Sequence, residues 1–228
     1  FGPNGPIKAP EPQVVSEIST SLGEDLLGIL GLFGGGVSTT PVMASGVVVD
    51  GYIFNAKVYR VDSFGNIVGN VVFTNSNGGF TGLGVGTGKI VVEATANSLD
   101  MALGTAYTPA LKLYAPGSAS VVNPITTLIQ NILDKDSSKS LDQATSLIVA
   151  GLGLPSSGID YMNFDPVASY TSGGENQTNA LLVQRVASQI AVLVASASAS
   201  ISADASQFSD SSEKVITELA QAAAKNSA

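Results

Sequence analysis

The sequence predicts an α+β protein: an antiparallel β-sandwich of about seven strands, an α-helical region after it, and an extended arm with a helix before it. Three observations carry that prediction. The first 12 residues hold four prolines, short β-branched runs separated by Gly, Asn and Asp fill the stretch from Thr40 to Tyr114, and a helical rhythm takes over at Asn123. The predicted domains are 1–40 for the arm and amphipathic helix, 41–118 for the sandwich and 119–228 for the helices.

Proline lacks a backbone donor and fixes φ, so the opening Phe-Gly-Pro-Asn-Gly-Pro-Ile-Lys-Ala-Pro-Glu-Pro reads as an extended arm. Two readings of it stay open, a free terminus or a segment ordered by docking on another subunit. Val14, Val15, Ile18, Leu22, Leu26, Ile29, Leu30 and Phe33 then recur near an i, i+4, i+7 spacing. They predict an amphipathic helix, weakened at Gly23.

Strands are expected at Gly46–Asp50, Ala56–Asp62, Ile67–Thr74, Gly79–Gly82 and Lys89–Thr95, with an extended stretch over Thr105–Tyr114. Between them Ser63-Phe-Gly-Asn66 and Asn75-Ser-Asn-Gly-Gly79 hold the residue types that accept turn geometry. Asn123 followed by Pro124 opens a helix to about Leu133. Ser140-Leu-Asp-Gln143 is a capping box whose helix ends near Gly151. Over 176–201 one face carries Leu182, Val186, Ile190, Leu193, Ala197 and Ile201, with Val183 and Val194 beside it. A last helix is expected to be capped by Asp210 with Glu213 and to bury Val215, Ile216 and Leu219. The Ala/Ser faces of these helices allow close contact, within one chain or between copies.

The chain has no Cys, His or Trp. No Ser-His-Asp triad, thiol nucleophile, His-ligated metal or disulfide can be built from it. Paired carboxylates, a Ser-Lys arrangement and an oxygen-ligated cation remain. Among Asp50, Asp62, Glu93 and Asp100 no spacing singles out an acid–base pair, and the expectation is a non-enzymatic protein. A Lys–Asn isopeptide from Lys57 or Lys89 and Asn97 stays open at this point.

A net charge of −8 and a pI near 4.3 argue against nucleic-acid binding, which needs clustered Lys and Arg. Gly82-Leu-Gly-Val-Gly-Thr-Gly88 lacks the Lys-Ser/Thr ending of a phosphate loop. The apolar run Asp25–Phe33 is much shorter than a membrane span requires. Only 12% of residues are charged, and the chain opens on Phe1; both lead to the expectation of a processed, exported protein.

Asp50-Gly-Tyr-Ile-Phe-Asn-Ala-Lys-Val-Tyr-Arg-Val-Asp62, Asn77-Gly-Gly-Phe-Thr81, Ala115-Pro-Gly-Ser-Ala-Ser-Val-Val-Asn-Pro-Ile-Thr-Thr-Leu128, Gly153-Leu-Pro155, Asp160 and Phe164-Asp-Pro166 occur in an order that resembles modules of bacterial cell-surface proteins and adhesins. There a carboxypeptidase-regulatory-like or Cna-B-like sandwich precedes a helical region. The resemblance covers roughly residues 46–200. It implies a secreted or cell-surface structural protein that self-associates into a filament, sheath or matrix, as a homo-oligomer or polymer. The alternative is a monomeric adhesin module that recognises glycan or a surface through sandwich loops.

Loops at this position in such modules suit calcium. Here Phe64 supplies no ligand oxygen, so any calcium would draw on Asp62, Asn66, Asn97 and Asp100 from neighbouring loops. Turn formation is the competing role for those four. No other cofactor is expected.

Overall fold

Short β-branched runs become strands wherever the pleat can bury one face. In the computed structural model, which describes residues 43–107, 112–202, 204 and 207–227, these are β1 (Met43–Val48), β2 (Ile53–Phe54), β3 (Lys57–Val61), β4 (Ile67–Phe73), β5 (Gly79–Gly84), β6 (Lys89–Glu93), β7 (Leu99–Asp100), β8 (Thr105–Ala106), β9 (Lys112–Ala115) and β10 (Val121–Val122). Five helices follow: α1 (Pro124–Lys135), α2 (Leu141–Gly151), α3 (Pro166–Ser172), α4 (Gln177–Ile201) and α5 (Phe208–Asn226). The arm and helix expected over residues 1–40 lie outside the described residues.

The α+β class and the C-terminal helical region are as the periodicity predicts. The β part differs from the expected sandwich. Its strands divide among three small sheets, ordered β10-β1-β5, β2-β7-β8 and β4-β3-β6-β9, and the β1–β10 pairing is parallel. Backbone geometry supplies the reason for the division. Gly51, Tyr52 and Asn55 all have positive φ, which turns the chain out of the first sheet and leaves β2 to pair with β7 instead. At Gly46 a Cβ would collide with the Ser120 carbonyl and the Phe80 ring, so only glycine lets the chain around β10 approach β1 so closely.

The β and α parts expected as two domains share one core. From Pro41 onward the chain is a single compact unit. Val48, Phe80 and Leu83 of the first sheet meet Val58, Ile90, Val92 and Leu113 of the four-stranded sheet, and Ile125, Leu128, Ile129 and Ile132 of α1 close the same cluster. Helix α1 is its centre, with 8 of its 12 residues buried.

The Asn123-Pro-Ile-Thr-Thr-Leu128 segment makes that placement possible. Asn123 Oδ1 accepts the Thr126 amide at 2.8 Å, and Thr126 Oγ1 accepts the Asn123 amide at 2.9 Å. Pro124 fills the first helical position, and Ile125 and Leu128 enter the core. Thr127 serves the sheet as well, its Oγ1 accepting the Tyr114 amide at 2.9 Å. The outer edge of β9 is thereby satisfied by a helix side chain instead of another strand. Thr127→Val, which keeps the shape and removes the hydroxyl, is expected to lower stability by about 1–3 kcal/mol in urea titration, because it strands the Tyr114 N–H.

Ser140 and Gln143 form the expected capping box on α2. Asp165 caps α3, its Oδ1 accepting the Val167 and Ala168 amides at 2.9 and 3.0 Å. Two helix expectations are corrected. Helix α5 begins at Phe208, so Asp210 sits inside its first turn rather than at its cap. Of the residues expected to be buried there, Ile216 is, whereas Val215 and Leu219 are partly buried. On α4 the buried line is Ala180, Val183, Ala187, Ile190, Val194 and Ser198, rotated from the expected stripe. Leu182, Leu193 and Ile201 are left at 38, 48 and 58% exposure. Small residues account for the rotation, since Ala and Ser let neighbouring backbones come close. At Gly151 of α2 a Cβ would overlap the backbone of Ala223 in α5, so at least one such contact forms within the chain.

Candidate functional site

Between the loop after β1, the β7–β8 hairpin and one side of α4 lies a cavity of about 440 Å³. Asp50, Asp100, Thr105, Tyr107, Gln184 and Ser188 bring polar groups to it. Asp50 stands where positive φ at Gly51 and Tyr52 reverses the chain. Tyr107 donates its hydroxyl to Asp50 Oδ2 at 3.1 Å. Burial first, and the neighbouring Asp50 carboxylate next, push the Tyr107 phenol well above its ordinary range, so it remains a donor.

Burial likewise raises the Asp50 carboxyl from 3.8 to about 6. The Tyr107 hydrogen bond opposes that rise and the Asp100 charge adds to it. Asp100 Oδ1 accepts the Ala102 and Leu103 amides at 2.8 and 3.1 Å, which tightens the hairpin. From the helix side, Gln184 Nε2 donates to Ser188 Oγ at 3.3 Å, while Gln184 Oε1 is buried without a hydrogen-bond partner.

Of the four acids weighed as acid–base partners, the structure brings Asp50 and Asp100 to one cavity. Glu93 lies on the outer face of the four-stranded sheet, 3.5 Å from both Lys57 and Lys112. Asp62 is a turn residue, with Oδ1 accepting the Phe64 and Asn66 amides and Oδ2 the Asn66 side chain. Those hydrogen bonds hold its carboxyl below the usual carboxylate range.

The four residues considered for calcium do not converge. Strands β3 and β6 pair with Val61 opposite Lys89 and Lys57 opposite Glu93. Asp62 and Asn66 therefore extend one end of that ladder, and Asn97 and Asp100 follow the other. Five paired residues separate the two ends, on the order of 15 Å of strand. Among the described residues no group of three or more Asp, Glu, His or Cys is placed to hold a metal. Of the residues weighed for an isopeptide, Lys57 stands 3.5 Å from Glu93 and Lys89 2.6 Å from Asp134, and the Asn97 backbone amide donates to Thr95 Oγ1.

The second functional feature is a surface. Leu181, Leu182, Val192, Leu193 and Ile201 of α4 are all more than a third exposed, Val192 reaching 68%. By length and composition, α4 also meets the requirement for crossing a membrane, although its Val183–Val194 line lies in the core. Of the aromatics in the β part, Tyr59 and Phe80 are buried, Phe54 and Phe73 are exposed, and Phe64 at the β3–β4 turn is 88% exposed.

No family model matches the chain, and no curated protein or solved structure matches it either.

Asp50 and Asp100 stand out in the sequence as acids but not as neighbours. Gln184 carries no such signal, since nothing in a helical repeat marks one polar position as facing a hairpin some eighty residues earlier.

Proposed function

We propose that this chain is a secreted, non-enzymatic structural subunit of a bacterial cell-surface assembly, a filament, sheath or matrix, in which copies associate through their terminal segments. The observation that carries the reading is the exposed apolar flank of α4, where Leu181, Leu182, Val192, Leu193 and Ile201 stay in contact with water. Apolar side chains left exposed toward both ends of a helix of 25 residues, with Arg185 and Gln189 between them, are the kind of surface that soluble proteins cover with a partner. The resemblance to surface-protein modules points the same way. The β part fits this reading as a distorted sandwich whose inner faces include Val48, Leu83, Val58 and Val92.

Sedimentation velocity and negative-stain microscopy test it together. The full chain is expected to associate at micromolar concentration. Val192→Glu with Leu193→Glu is expected to shift it to monomer by at least tenfold in dissociation constant while its circular dichroism stays unchanged, because both residues point away from the core. A wild-type chain that stays monomeric, or a double variant that assembles equally well, sinks the proposal. A chain beginning at Thr40 that polymerises as fully as the intact one rules out the N-terminal arm as the connecting segment.

The adhesin reading has one observation in its favour, the bare ring of Phe64 at a loop tip. Exposed aromatic rings serve as stacking platforms for sugar faces. Persistent monomers combined with saturable glycan binding, lost in Phe64→Ala, would favour it over assembly.

A further inference from the structure

The sheet β2-β7-β8 is made of strands of two residues each, too short to hold without support from the rest of the fold. Met101 and Ala102 tie its hairpin to the turn after β1, donating their amides to the Tyr52 and Gly51 carbonyls at 2.9 and 3.0 Å. At the far end the Tyr107 hydroxyl reaches Asp50. Leu99, Met101 and Leu103 leave much of the hairpin's apolar surface in water, so burial of that side adds little to these ties. The same hairpin carries Asp100. A Cβ on Gly51 would stand 2.7 Å from Asp100 Oδ1, which sets that carboxylate against the residue next to Asp50. No Lys or Arg among the described residues forms an ion pair with either acid. Closing the hairpin thus buries Asp50 beside a second carboxylate with no cation to offset them.

We infer that the β7–β8 hairpin is a latch worked by pH, closed while Asp50 holds a proton and opened more often once Asp50 and Asp100 are both charged. Opening breaks the Met101 and Ala102 hydrogen bonds, lets water reach both carboxylates and uncovers the cavity beside α4. The groups facing Asp50 are Asp100, Thr105 and Tyr107 from the β side and Gln184 and Ser188 from α4, and no cation is among them. Tyr107 keeps its proton. Asp50 titrates at about 6 when buried and near its ordinary 3.8 once water reaches it, so the closed form holds a proton that the open form releases. Closure is therefore favoured at the acid end of this window and lost as pH rises through it. The closed hairpin remains the major state at pH 7, and pH sets how often it opens. The device lies within one copy and is independent of self-association.

Amide hydrogen exchange on the full chain at pH 4.5 and pH 7, corrected for the intrinsic change in exchange rate, tests the latch. Protection at Met101 and Ala102 is expected to lie below that of the β3–β6 ladder, which reports global unfolding, and to fall more than tenfold between the two pH values. Asp50→Asn keeps an acceptor for Tyr107 and is expected to abolish the fall. Asp100→Asn, which keeps the acceptor for the Ala102 and Leu103 amides, is expected to reduce it, and serves if the first variant folds poorly. Constant protection at the hairpin, protection equal to that of the ladder at both pH values, or a full-sized fall in both variants would each overturn the inference.

Discussion

Arg60→Ala is expected to lower the unfolding free energy by roughly 3–5 kcal/mol, read from urea denaturation at neutral pH. Arg60 lies in the middle of β3 and is only 3% exposed. No carboxylate of a described residue forms an ion pair with it. Its guanidinium instead donates to three backbone carbonyls, Nε to Gly84 at 2.7 Å and Nη1 to Gly88 and Gly117 at 3.0 and 2.8 Å. These carbonyls come from the end of β5, the turn before β6 and the Ala115-Pro-Gly117 turn, so one side chain ties three connections to the strand. Removing it leaves the acceptors without their donor in a place water does not readily reach, and leaves a cavity as well. Arg60→Lys is expected to fall between, since a point charge cannot reproduce the planar fork. Arg60→Met, which keeps the apolar stem, separates packing from hydrogen bonding. If Met matches wild type, the carbonyl contacts contribute nothing net.

The second large effect is a dependence on pH centred on Asp50. Its carboxyl titrates at about 6 in the folded protein against an ordinary 3.8. Between those values the folded state holds a proton that the unfolded chain has released, so stability falls as pH rises through the window. By pH 7 the loss from this group approaches about 3 kcal/mol, because each tenfold step in proton affinity corresponds to 1.36 kcal/mol. Asp50→Asn removes the titration. Relative to wild type the variant is therefore expected to gain up to about 3 kcal/mol between pH 4 and pH 7, whatever its offset at pH 4. Parallel pH profiles for the two proteins would show that Asp50 is not withdrawn from water.

Much of the fold is legible in the sequence because it rests on short-range chemistry. The caps at Asn123 and Ser140, the proline at the start of α1, and the strands over 57–61, 67–73 and 89–93 follow from residues within a few positions of each other. The shortest strands are not legible in this way. Pairs such as Ile53–Phe54 and Leu99–Asp100 are too brief to show alternation, and they exist because positive φ at Tyr52 and Asn55 turns the chain. The placement of the four residues weighed for calcium was hidden from the sequence for a comparable reason. Turn residues of similar chemistry lie at opposite ends of the β3–β6 ladder once register is fixed.

The candidate site is legible only in part. Asp50 and Asp100 attract notice as acids beside turns, yet their common cavity depends on α4, whose stripe the sequence places on the wrong flank. Leu, Val, Ala and Ser cover most of that helix, so hydrophobic periodicity leaves its rotation loosely determined. Tertiary packing decides it, by seating the line Val183–Ala187–Ile190–Val194 in the core.

Composition by itself excluded thiol and histidine chemistry, and local pattern determined the α+β class and the helix starts. Tertiary structure alone decided that Arg60 is enclosed by carbonyls, that Asp50 and Asp100 share a cavity with Gln184, and that the apolar flank of α4 is left bare. Those are long-range facts, created where segments distant in the chain meet and compete for the same interior.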